Sequence, residues 1–132
     1  MKKLYYASFT YLIIGLLSGV FAREYAKSKG ILGSTLLNLL HTHTLVLGFL
    51  FFLIALALAK AFSFHKMKGF NMWFIIHNIG LILTLSSLAT RGLLQLNGDD
   101  FKGLTYIIGI SHSIIGLSLV WFMILLKKSF KM

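Results

Sequence analysis

Charge along this chain is confined to five short clusters, and the four stretches between them are apolar, about twenty residues long or more. A run of that length, wound as a helix rising ~1.5 Å per residue, crosses the ~30 Å hydrocarbon core of a bilayer. Inside lipid a backbone must satisfy its own hydrogen bonds, and a helix does so within one segment. The stretches fall at residues 4–22, 35–59, 70–90 and 104–126. The expected fold is therefore all-α: an integral membrane four-helix bundle forming a single transmembrane domain over residues 1–132. Composition agrees, with 58% hydrophobic residues, 12% charged residues and a mean hydropathy of +0.86, too few polar residues to cover a soluble domain.

Turn chemistry separates the stretches. Gly30 and Gly33 mark the first loop, and Asn97-Gly98-Asp99-Asp100 marks the third. The first stretch is too long for a signal-peptide core and lacks a small-residue cleavage pattern before Arg23-Glu24. Neither cysteine nor proline is present, which removes disulfides and thiolate metal sites. Lys2, Lys3, Lys60, Lys66, Lys68, Lys127, Lys128 and Lys131 fall on one side. Arg23, Lys27, Lys29, Arg91 and Lys102 fall on the other, partly offset by Glu24, Asp99 and Asp100. Eight cations against five place both termini in the cytoplasm, in a multi-pass protein of a bacterial cytoplasmic membrane. The net charge of +10 then reflects topology and anionic lipid headgroups. No basic patch interleaved with aromatics points to nucleic acid.

Histidines at membrane depth carry the functional information, because ionisable side chains there are rare and usually face the protein interior. His41 and His43 open the second stretch, His77 lies in the third and His112 in the fourth. His43 and His112 each lie about 8 residues from the outer start of their helices, ~12 Å down, with His41 ~3 Å shallower. His77 belongs to a deeper layer and, beside Asn78, is expected to hydrogen-bond to a neighbouring helix. His65, among lysines of the inner loop, reads as a solvated surface residue. Residues two apart on a helix point ~200° apart, so His41 and His43 face opposite sides. Such a helix could serve two cofactors, or one cofactor and one partner helix. Alternatively one imidazole binds and the other snorkels to the interface.

Without thiols, and without an acid at membrane depth, a metal site here is all-imidazole. Haem b fits, since two axial histidines suffice and an apolar bundle buries the macrocycle. Arg23 and Arg91 at the outer boundary could pair with its propionates, or serve as ordinary interfacial anchors. Copper or zinc on His41, His43 and His112 is the alternative chemistry. Most of the abundant aromatics are expected at the lipid face or the interface.

The segment Asn38-Leu39-Leu40-His41-Thr42-His43, followed by Leu45-Val46-Leu47-Gly48-Phe49, resembles the haem-ligand helices of the large subunit of haem-copper oxidases and nitric oxide reductases. The resemblance covers one four-helix unit of that subunit. It implies haem ligands at the outer end of the second helix, and Arg91, opening the third loop, turned to the propionates. It also implies a homotrimer reproducing the threefold arrangement, with each haem held by His43 of one copy and His41 of the next. The pattern departs in lacking a copper-site histidine pair, so no oxygen or nitric oxide chemistry is implied. A cytochrome-b-like alternative pairs His41 or His43 with His112 across one bundle. The whole chain also resembles a family of small four-helix bacterial membrane proteins of unknown function. The expected role is bis-histidine haem binding for electron transfer or for haem or gas sensing, with a redox partner. The alternatives are an oligomeric transporter with a histidine-lined path for metal ions or protons, and an accessory subunit of a respiratory complex.

Overall fold

The computed structural model describes residues 1–33 and 35–130. Four helices of 27 residues follow one another: α1 (Lys2–Ser28), α2 (Leu36–Phe62), α3 (Phe70–Leu96) and α4 (Gly103–Ser129). All four are long and apolar enough to cross a membrane, as a multi-pass protein requires, and no strand occurs among the described residues. Each is ~40 Å long at ~1.5 Å per residue, so ~5 Å at either end projects beyond a ~30 Å hydrocarbon core. This overhang explains why the helices outrun the apolar stretches. Arg23, Glu24, Lys27 and Arg91 sit in continuing helical turns rather than closing them, since a helix needs no apolar side chains once it reaches the headgroups. The loop between α2 and α3 is compact: Ser63 and Gly69 take left-handed conformations (φ 55° and 97°) around a single 3₁₀ turn, Phe64–Lys66.

α3 is the hub. Among the most apolar residues of each span, 44% are buried in α3 and 22% in each of the others, so lipid covers most of the remaining surface. The core is unevenly distributed along the membrane normal. The half nearer the α2–α3 loop is a dense aromatic cluster in which Phe52, Phe64, Phe70, Trp73 and Phe122 are buried and Phe51 and Phe74 pack against them. Elsewhere most of the aromatics keep exposed surface, as expected. Phe70, Trp73, Phe74 and His77 recur at i, i+3, i+4 and i+7, a helical stripe that faces inward. The half nearer the α1–α2 and α3–α4 loops holds a small cluster of Ala22, Leu37 and Leu96, joined by Tyr25, Ile31 and Leu93, all from α1, α2, α3 and the first loop, with Leu85 and Leu88 also buried on α3. No residue of α4 before Ser111 is buried. The first turns of α4 therefore stand away from α2 and leave an opening between them.

Helix contacts are made where a glycine removes the side chain. A Cβ on Gly48 would lie 2.6 Å from Tyr11 Cβ and Cγ, and one on Gly80 would lie 3.3 Å from the backbone nitrogen of Ile115. Small residues allow such approaches, which matter most in lipid, where no hydrophobic force drives helices together. Within α2, residues Thr44–Leu50 wind as a π-helix. Its wider turns loosen the carbonyl ladder, and Ser8 of α1 donates to the Phe49 carbonyl at 3.1 Å.

Candidate functional site

His43 is the last α-helical residue before the π-helical turns. It projects from α2 into the opening toward α4, where His112 meets it with ring centroids 6.0 Å apart and planes at 77°. Both rings are tied to their own helices. Nδ1 of His43 lies 2.9 Å from the Leu39 carbonyl, and Nδ1 of His112 lies 2.7 Å from the Ile108 carbonyl. A carbonyl only accepts, so each Nδ1 carries the proton and donates it. The neutral ring then keeps a bare lone pair on Nε2, directed away from its own helix. A backbone-anchored Nδ1–H with a free Nε2 is the usual preparation of a metal-binding histidine.

His41 points the other way, as its spacing from His43 requires. Its Nδ1 donates to the Gly15 carbonyl of α1 at 2.7 Å, and a Cβ on Gly19 would meet that nitrogen at 2.6 Å. The imidazole fills the slot left by Gly19 and bonds α2 to α1. The structure thus unites His43 with His112 and separates His41 from both. No group of three histidines or acids able to hold one ion occurs among the described residues. Within one chain the three histidines do not converge: a turn of ~200° divides His41 from His43, and α1 occupies the His41 side.

Arg91 is helical rather than in the loop, and it makes a two-point ion pair with Asp100, Nε to Oδ1 at 3.2 Å and Nη2 to Oδ2 at 3.3 Å. Its fork is occupied by a carboxylate of the third loop. Arg23 is exposed, with Glu24 at 4.0 Å.

His77 is fully buried in the aromatic half. Ser118 sends its hydroxyl proton to the Ile115 carbonyl at 2.8 Å and so accepts from His77 Nδ1 at 2.7 Å. That bond joins α3 to α4, as expected for this residue. Phe51 stacks on the ring with a 4.6 Å centroid distance. Nε2 has no hydrogen-bond partner. His65 is half-buried rather than solvated: its Nδ1 donates to the Ala59 carbonyl at 3.2 Å and its ring stands edge-on to Phe70. Burial pushes its pKa below the ordinary imidazole value, helped by the Met1 ammonium and Lys66 and opposed by the Ala59 bond.

Sequence reading missed the polar pair deeper between α1 and α3, where Tyr11 donates to Asn78 Oδ1 at 2.8 Å. The signal was present in two polar residues set among apolar ones at matching depth.

Fold and site together define a four-helix membrane protein with a histidine pair across an opening between two of its helices. The chain belongs to the family described as "Protein of unknown function (DUF2871)", whose profile matches residues 1–129. That is the four-helix family resemblance expected above, and it brings no relationship to the haem-copper oxidases. No curated protein matches the chain, and no solved structure does.

Proposed function

We propose that the protein binds haem b through His43 and His112 of one chain, for electron transfer or sensing within a bacterial cytoplasmic membrane. The pairing of these two imidazoles across an opening supports this reading most. Two imidazoles that would share one metal ion through nitrogens at ~2.0 Å bring their ring centroids to about 6 Å of each other. The observed 6.0 Å fits that spacing, and both Nε2 atoms are free to bind. When bound, the iron would supply one-electron chemistry. The chain's own share is to hold the two rings in a fixed tautomer.

Space fits less completely. The pocket beside His43, lined by Thr42, Val46 and Leu47, holds about 260 Å³, less than a macrocycle needs. The unburied first turns of α4 leave that side open, so the macrocycle edge would reach lipid or a second copy. Homo-oligomerisation, including the trimer, belongs to this proposal. The ring of copies joined by His41 and His43 is the weaker arrangement, because His41 is engaged with α1. With Arg91 held by Asp100, propionates would also have to displace that carboxylate or use Arg23.

The test is a visible spectrum of protein purified with haem supplied. A bis-imidazole site gives a sharp reduced α-band, which His43→Ala and His112→Ala should each abolish or convert to high spin. His41→Ala should keep it. Protein that stays colourless and takes up no added haem would end the proposal. Loss of the band in His41→Ala with retention in His112→Ala would restore the intersubunit ring.

A further inference from the structure

On the opposite flank from the histidine pair, α1 and α3 enclose a lipid-open groove of about 450 Å³, whose lining includes Lys3, Tyr6, Tyr11, Phe74, Asn78 and Ile82. Its walls are apolar, and its floor is polar at a depth where polarity is costly. Asn78 lies 8 residues from the inner end of α3 and Tyr11 a similar distance into α1. At ~1.5 Å per residue, less the ~5 Å overhang, both sit ~7 Å inside the hydrocarbon.

Hydrogen-bond capacity on this floor is only partly used. Tyr11, 6% exposed, donates its proton to Asn78 Oδ1, and one Asn78 Nδ2 proton goes to the Phe74 carbonyl at 2.7 Å. That leaves one Nδ2 proton as a donor, with lone pairs on Asn78 Oδ1 and the Tyr11 oxygen as acceptors. Asn78 is half-exposed in the groove, so these face it. Lipid tails offer nothing to the one Nδ2 proton that remains free, at a depth where an unshared donor costs free energy. A phospholipid does not meet this need. Its phosphate and ester oxygens lie at the interface, level with Lys3, whose ammonium bonds Asn71 Oδ1 at 3.0 Å.

We infer that this groove binds a membrane quinone, a lipid-borne ring whose carbonyl accepts from Asn78 Nδ2 and whose quinol hydroxyl donates to Asn78 Oδ1 or the Tyr11 oxygen. The apolar walls hold the ring and its tail leaves into lipid past Ile82. The binding stands on the groove itself; its meaning as a redox partner rests on the haem reading.

The test uses the full chain in detergent, without haem, and a short-tailed photoreactive quinone. Label should map to peptides containing Tyr6–Tyr11 and Phe74–Ile82, and unlabelled quinone should compete while phosphatidylglycerol does not. Asn78→Leu should weaken binding about tenfold, the worth of one hydrogen bond. Ile82→Trp, at a lipid-facing position that leaves the core untouched, should block labelling by filling the groove. Label spread over all lipid-facing helices, equal competition by phosphatidylglycerol, or unchanged labelling in Ile82→Trp would each overturn the site. Haem binding, read separately from the visible spectrum, fails or holds independently.

Discussion

Replacing Gly48 with alanine should destabilise the protein, whereas the same change at Gly109 should not. A Cβ at position 48 would stand 2.6 Å from Tyr11 Cβ and Cγ, against a comfortable carbon separation of ~3.5–4.0 Å. Those atoms sit at the root of the tyrosine, so no rotamer change relieves the clash. α1 and α2 must part by about 1 Å at this level. Overpacking of that kind costs ~1–3 kcal/mol, and alanine's better helix propensity returns up to ~1 kcal/mol. The net loss is about 1–2 kcal/mol. Parting the helices also disturbs the Tyr11–Asn78 bond and the stacking of Tyr11 on Phe52. Around Gly109 no atom lies within 4 Å of the added carbon, so only the propensity gain remains. Titrating mixed micelles with SDS, with helicity read by circular dichroism, compares the two variants under one condition. A Gly48→Ala protein that resists SDS as well as its parent would refute the close α1–α2 contact.

Three further outcomes follow from the same geometry. Ser118→Ala should cost about 1–2 kcal/mol by stripping His77 of its hydrogen bond, and His77→Phe in that background should recover part of it, since the ring's neighbours are aromatic; a double-mutant cycle in SDS measures both. His65 should titrate below ~6.5 in the folded protein, so the unfolded chain binds more protons in that range. Its contribution is then present above ~6.5 and declines as pH falls toward the folded value, which nuclear magnetic resonance of the imidazole and unfolding at several pH values would reveal or contradict. Reporter fusions after Lys66 and at the carboxy terminus should both register cytoplasm, and a periplasmic signal from either would reverse the orientation and move the histidine pair to the inner leaflet.

Helix number and approximate position were readable because lipid acts on the chain as a simple filter. A run of twenty apolar residues has one low-energy form in hydrocarbon, whatever its neighbours. Helix ends were less readable, because hydropathy measures the hydrocarbon and the helices extend through the headgroups. The π-helical turns at Thr44–Leu50 left no trace in composition. Within them Gly48 packs against Tyr11 and the Ser8 hydroxyl reaches the Phe49 carbonyl, both contacts between distant parts of the chain. The aromatic core was readable in principle from the Phe70–Trp73–Phe74–His77 stripe, but a stripe does not say whether it faces protein or lipid when both are apolar.

The histidine pairing shows where local spacing stops being informative. Two residues apart on a helix means opposite faces, and His41 and His43 do face opposite ways. Which face meets which neighbour depends on the rotation of α2, and that is set by contacts outside the motif. Gly15 and Gly19 of α1 offer a carbonyl and a vacant slot, and His41 takes both. With His41 docked, His43 is turned toward α4, and the absence of any buried α4 residue before Ser111 leaves room for His112 to approach it. The glycines of α1 thereby decide the composition of a site formed by α2 and α4. Gly19→Val separates this account from a purely local one. It should evict His41, rotate α2 and part His43 from His112, weakening haem binding from a position that touches neither ligand. An unchanged spectrum in a folded Gly19→Val protein would mean that His43 is oriented by its own helix alone.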